Sequence, residues 1–365
     1  MSSKDIKLGV SLYSYQEAIW RGDLDLSGAL TAVKGCGATG VEIFGEALMP
    51  SFPYVSNEFL YEWNYWMDNL QLEPVCYEHF ADRRFSPNPD EYLTDDDLFD
   101  MTLQYLRSAK KLGCSLIRLS HTGHNGKRSE NFTPDPGRET INPETSERLL
   151  PYAQDLGGAM ALELHAPGVL QDGGNDAFLE AIDRTGCYGG GGLMLDLSAC
   201  FRDISPMLED SYVAQGAKRE IVQYMRKIDK KANTFDGNNQ VDWDEVKKTI
   251  LDMGGGEAEL RLYERYQHGP LYARKISSPE VVEEYASKLI YVHGKMHWIN
   301  DDCTSDEVDY PRVIRALAKG GYKGYISTEF EGQRSVPHTL NEIEFVRKQH
   351  ILMRQCLADC AAEGL

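Results

Sequence analysis

Residues 98–120 read LFDMTLQYLRSAKKLGCSLIRLS. In the first sixteen of them apolar side chains recur at helical spacing and Gly113 supplies a stop; the remaining seven form a short apolar run of strand length. A helix that delivers the chain directly into a strand is one half of a repeating β/α unit, and the same alternation extends in both directions. Strands are expected in LGVSLYSY (8–15), GVEIF (40–44), LEPVCYEHF (72–80), CSLIRLS (114–120), AMALELH (159–165), GLMLDLS (192–198), KLIYVHGKMH (288–297) and GYISTEFEG (324–332). Helices are expected at 26–34, 58–69, 98–112, 144–156, 176–184 and 308–319. Parallel strands need crossovers, so eight of them alternating with helices predict an α/β fold, a closed (β/α)8 or TIM barrel.

The expected organisation is one barrel domain over residues 7–345, with residues 346–365 as a C-terminal extension. The connection between the sixth and seventh strands is too long for a simple crossover. It holds the helix-like AKREIVQYMRKIDK (217–230), the polar ANTFDGNNQ (232–240) and the glycine-rich MGGGEAE (253–259), and so predicts a helical and loop insertion over approximately 203–287.

Composition narrows the function classes. A formal charge of −19 sets the chain against phosphate backbones and anionic surfaces, so no nucleic-acid or membrane partner is expected. The sequence shows neither a basic-then-apolar leader nor an apolar run of membrane-spanning length, which points to the cytoplasm. Eight scattered cysteines lack the paired spacing of a zinc module and read as reduced thiols.

Strands of a parallel barrel are covered by helices and should be apolar, so their ionisable residues call for explanation. The two-residue period puts Glu163 and His165 on one side of ALELH, Asp196 inward in LMLDLS, His293, Lys295 and His297 on one face of HGKMH, and Glu329 and Glu331 together in TEFEG. All lie near strand C-termini, the mouth of such a barrel. Each alone reads as readily as an ion pair or a solvated strand end. Together, Glu163, Asp196, His293 and Glu329 offer three carboxylates and an imidazole, a donor set suited to one divalent ion with Mn2+ as the expected metal. His165 is the expected general acid or base, Lys295 a stabiliser of a developing oxyanion, and His297 a further catalytic candidate. Tyr13, Glu42, His79, His121 and Glu331 complete the mouth as candidate substrate-binding residues. No Gly-x-Ser-x-Gly element supports a serine hydrolase, and the glycines at 189–192 lack a nucleotide-binding context.

At LELH, LDLS, VHGK and TEFEG the sequence resembles the sugar phosphate isomerase/epimerase superfamily, whose xylose-isomerase-like barrels carry Glu, Asp, His and Glu on successive late strands. The closer resemblance is to the alpha subunits of bacterial C-glycoside deglycosidases, on LGVSLYSYQEA, on Glu163 with His165, and on His293-Gly-Lys295 running on to His297. Ala199 stands where an epimerase Asp-x-x-His pattern supplies a histidine, and Met296 where many members have His-x-Lys-Asp. The resemblance implies a carbon–carbon lyase acting on a 3-oxo-C-glycoside or related keto sugar. A metal-polarised ketone would allow His165 to take the C2 proton, and elimination would release an aromatic aglycone and an unsaturated keto sugar. It also implies a small beta subunit in a hetero-oligomer. The alternative is a divalent-metal-dependent keto-sugar isomerase or epimerase.

Overall fold

A computed structural model describes residues 5–79, 83, 86–88, 90–120, 143–166, 168–171, 173–232, 241–268, 276–334 and 340–365. Eight parallel strands, β1 (Ile6–Ser11), β2 (Gly40–Ile43), β3 (Glu73–Tyr77), β4 (Leu116–Ser120), β5 (Ala159–Leu164), β6 (Gly191–Asp196), β7 (Leu289–Met296) and β8 (Gly324–Phe330), close into a barrel in sequence order. All eight expected strands are present. The main displacement is at the first: after Ser11 the chain turns into a 3-10 helix, Leu12–Tyr15, because the Ser11 hydroxyl accepts the Tyr13 N–H and starts a turn. Tyr13 and Tyr15 therefore sit on a helical turn at the mouth.

The six expected helices are also present. Helix Asp95–Leu112 starts three residues earlier than its apolar pattern, at a capping box between Thr94 and Asp97, and ends on Gly113 at φ 81°. Helices cover the outer strand faces with Leu162, Leu164, Leu193 and Leu195, as the period-two pattern requires. Inside, Cys76, Ala161, Met194, Tyr291 and Tyr325 plug the lower barrel. Gly40 makes room for that plug: a Cβ there would meet Tyr325 Cε1 at 2.3 Å.

The helix Glu342–Ala362 spans position 345/346, where the C-terminal extension is expected to begin. It runs through that point without a break, packs on β1 and β8, and buries Val346, His350 and Met353. Residues 346–362 pack on the barrel as part of that helix, and among the described residues no strand follows it to mark a β/α unit. Between β6 and β7 the helices Pro206–Ala214, Arg219–Ala232, Trp243–Asp252 and Glu257–His268 share a separate apolar cluster that includes Ile221, Met225, Trp243 and Leu262. The next helix, Pro279–Tyr285, packs on Tyr310–Lys319 in the outer ring. No helix among the described residues is long and apolar enough to cross a membrane.

The closing helix also carries an acid-sensitive contact. His350 Nε2 bonds the Gly9 carbonyl at 3.2 Å, and burial, helped by Arg354, pushes its pKa down to about 3. An unfolded histidine titrates near 6.5. The neutral ring's contribution is therefore complete above about pH 6.5 and is lost toward pH 3, by about 1.4 kcal/mol per pH unit. His350→Gln is expected to flatten the dependence of melting temperature on pH between about 6 and 4; parallel curves for variant and parent would contradict this.

Candidate active site

The inward positions of the late strands converge where the sequence pattern put them. Asp196 on β6 pairs in register with His293 on β7, and Lys295 pairs with Glu329 on β8. Ligand atoms of Glu163, Asp196, His293 and Glu329 all lie within 4.8 Å of one another, and the four residues are buried. His293 Nδ1 faces Glu163 Oε1 at 3.3 Å, Glu329 Oε2 at 3.2 Å and Asp196 Oδ2 at 4.0 Å. Two buried atoms of this group, His293 Nδ1 and Asp196 Oδ2, have no hydrogen-bond partner among the described residues. Unpartnered buried polar atoms are costly, and a cation shared by converging oxygen and nitrogen donors would satisfy them, so this set could hold a divalent metal.

Each member is positioned from behind. Asp196 uses Oδ1 to accept the Ser198 N–H at 2.6 Å, capping the 3-10 turn Leu197–Cys200 and leaving Oδ2 aimed inward. Glu42 accepts from His293 Nε2 at 2.8 Å and from the Tyr291 hydroxyl at 2.8 Å, and that hydroxyl lies 2.7 Å from Ser327 Oγ. A carboxylate on Nε2 fixes the ring and turns Nδ1 toward the centre. Glu42, fully buried, is thus placed behind His293, away from the substrate-facing position expected of it. His79 also departs from expectation. It packs against Tyr105 and Thr102 of helix Asp95–Leu112, with its Nε2 3.1 Å from Thr102 Oγ1. Burial, with Arg118 nearby, lowers its pKa to about 3. The strand period explains this: Glu78 takes the inward position at the end of β3, so its neighbour points out. His121 lies outside the described residues.

Arg118 on β4 was not picked out from the sequence, although LIRLS sets one charge in an otherwise apolar strand. Its guanidinium contacts Glu78 at 3.1 Å, Glu163 at 3.3 Å and Glu329 at 3.5 Å. Burial pushes the Glu163 carboxyl up, but Arg118 and His293 more than offset it and hold it down at about 2. Burial is outweighed at Glu329 too, where Lys295, His293 and Arg118 keep the carboxyl well below its ordinary range. Asp196 stays raised by burial, with Lys295 and His165 only partly opposing. Glu78 is raised by burial despite Arg118.

Lys295 joins the centre to the rim, with Nζ at 2.7 Å from Glu329 Oε2 and 3.6 Å from Asp196 Oδ2 and a further ion pair to Glu331. The Tyr13 hydroxyl donates to Glu331 at 3.0 Å, and its ring meets Phe44 edge-on at 5.3 Å. Tyr13 and Glu331 therefore belong to the wall beside Lys295. His165, half-buried just past β5, has Nδ1 at 2.6 Å from the Ala166 carbonyl. A carbonyl only accepts, so Nδ1 carries a proton, and in the neutral ring the lone pair is on Nε2. Nε2 makes no hydrogen bond among the described residues. His297 follows the end of β7, where Glu307 holds its backbone N–H at 2.9 Å and its Nδ1 at 3.3 Å. Glu307 sits in a loop and gave no sequence signal.

The arrangement matches known proteins over most of its length. The family model described as xylose isomerase-like TIM barrel matches residues 30–349. The chain is 26% identical over 367 aligned positions to the C-glycoside deglycosidase alpha subunit of Arthrobacter globiformis, covering 98% of this chain and 94% of that one. It is 25% identical to the 3'-dehydrocarminate deglycosidase alpha subunit of a Microbacterium species, covering 98% and 97%. Among solved structures, L-ribulose 3-epimerase superposes with a TM-score of 0.54 at 12% identity, covering 100% and 97%, a likeness of fold.

Proposed function

Because the chain belongs to the xylose isomerase-like TIM barrel family, we propose that it is the catalytic alpha subunit of a C-glycoside deglycosidase, cleaving 3-oxo-C-glycosides by proton abstraction at sugar C2 and elimination. The observation that carries this reading is His165: an imidazole whose Nε2 makes no hydrogen bond among the described residues, set beside a buried three-carboxylate, one-imidazole centre. The full-length similarity to two deglycosidase alpha subunits supports the substrate class, since a shared barrel alone does not specify a reaction.

Glu163, Asp196, His293 and Glu329 would hold the divalent ion, with Mn2+ the expected metal, and the ion when bound would supply Lewis acidity at the substrate ketone. His165 Nε2 takes the C2 proton while the Ala166 carbonyl keeps the ring in the required tautomer. The Lys295 ammonium, held by Glu329 and Glu331, provides positive charge beside the oxygen on which negative charge develops. Tyr13 fixes Glu331 from the same wall. The relatives' designation as alpha subunits supports a second, smaller subunit, and the helices between β6 and β7 are its proposed platform.

The test is product analysis. The chain co-expressed with the small protein of a neighbouring gene is expected to associate with it in native mass spectrometry and, with Mn2+, to release free aglycone from a 3-oxo-C-glycoside. A product of unchanged total mass with a rearranged sugar would instead establish an isomerase or epimerase.

A further inference from the structure

Building on the deglycosidase reading, we propose that His297, oriented by Glu307, is the general acid that protonates the aglycone carbon as its bond to the sugar breaks. The chemistry calls for such a group. Once His165 has taken the C2 proton, the electron pair is shared between C2 and the 3-keto oxygen. As it forms the C1–C2 double bond and the ketone is restored, the C1–aglycone bonding pair departs on carbon. That carbon needs a proton, and His297 Nε2–H supplies it. His165 ends protonated and His297 neutral; proton exchange with water resets both, so no oxidant, reductant or co-reactant is consumed.

The position suits the role. β7 carries His293 and Lys295 into the barrel and ends at Met296, so His297 is the first residue beyond the strand. A single carboxylate fixes it: Glu307 Oε2 accepts the backbone N–H groups of His297 at 2.9 Å and Trp298 at 3.3 Å, while Oε1 faces Nδ1 at 3.3 Å. Glu307 is itself buried, and its carbonyl accepts the Arg202 N–H at 2.8 Å, which ties this loop to the segment after β6. With Nδ1 committed, Nε2 is the outward atom; it has no hydrogen bond among the described residues, and the side chain is 22% exposed.

Phe201 meets the imidazole edge-on at 5.1 Å and is half-buried, which places an apolar ring where a planar aromatic aglycone would lie. His165 follows β5 and His297 follows β7, and β6, which carries Asp196, lies between those two strands in the barrel. Other donors are engaged, Lys295 with Glu329 and Glu331, and Tyr13 with Glu331. Burial opposes a charge on His297 and so does Lys295, but Glu307 and Glu331 outweigh them and raise its pKa, favouring the imidazolium that an acid requires.

The experiment uses the chain with its small subunit in D2O, and reads aglycone release alongside deuterium uptake at C2 of recovered substrate. In His297→Gln, release from a 3-oxo-C-glucosyl phenol is expected to fall by roughly 10²-fold or more. C2 exchange should continue, and release from p-nitrophenyl 3-oxo-β-glucoside, whose phenolate leaves without help, should stay within a few-fold of the parent. Glu307→Gln removes the anion that supports the imidazolium and should move the release optimum to lower pH. Normal release by His297→Gln, or an equal loss on both substrates and in C2 exchange, would overturn the assignment. Absence of both exchange and release in the parent protein would instead refute the deglycosidase reading, and this inference with it.

Discussion

His165→Gln is expected to lower aglycone release by roughly 10²-fold or more while leaving the metal content and the melting temperature unchanged. The glutamine amide can still donate to the Ala166 carbonyl, which the imidazole reaches at 2.6 Å, so the local backbone keeps its partner. What it lacks is the imidazole lone pair that takes up the C2 proton. Glu163→Gln provides the contrast. It weakens one of four converging donors and the ion pair to Arg118, so metal content and turnover should fall together. Metal analysis on both purified variants, beside turnover of a 3-oxo-C-glycoside, separates base from ligand. Near-normal release by folded, metal-loaded His165→Gln would remove His165 from the proposed reaction.

The contrast between these two residues also shows what the sequence made legible. Glu163 and Asp196 could be placed because a strand has a fixed period and a covered barrel strand has no structural use for a lone carboxylate on its inner face. Glu42 and His79 obey the same period, but their side chains end away from the mouth. The pattern tells which side of a strand a residue faces; it does not tell the depth at which its side chain ends. Glu42 stops behind His293 instead of reaching the mouth, and His79, one residue past the inward Glu78, turns to Thr102 and Tyr105. Glu307 was beyond reach for another reason: it belongs to a loop, and only the folded chain brings it to His297, ten positions earlier in sequence. The last outer helix leaves a weaker signal in the sequence, because among the described residues helix Glu342–Ala362 has no strand after it to announce a repeat. Arg118 is different again, since it is, like Glu163, a single charge in an otherwise apolar barrel strand and obeys the same rule with the opposite sign.

Arg118 also underlies the largest expected change in stability. Its guanidinium lies among Glu78, Glu163 and Glu329, and all four side chains are at most 5% exposed. Removing one partner from a buried ionic group leaves the others uncompensated, at a typical cost of roughly 3–5 kcal/mol. For a chain of 365 residues, an unfolding entropy of about 2.1 cal/mol/K per residue makes this a fall of roughly 4–7 °C in the melting temperature of metal-free Arg118→Met. The carboxylates freed from Arg118 include Glu163 and Glu329, two of the proposed ligands, so a divalent ion would take over part of the missing positive charge. Saturating Mn2+ should therefore raise the melting temperature of the variant by more than that of the parent. Calorimetry of both proteins, with and without the ion, measures the two effects separately. A metal-free variant as stable as its parent would mean that Arg118 does not compensate the acidic centre, and equal stabilisation of the two by Mn2+ would mean that arginine and ion do not share the same carboxylates.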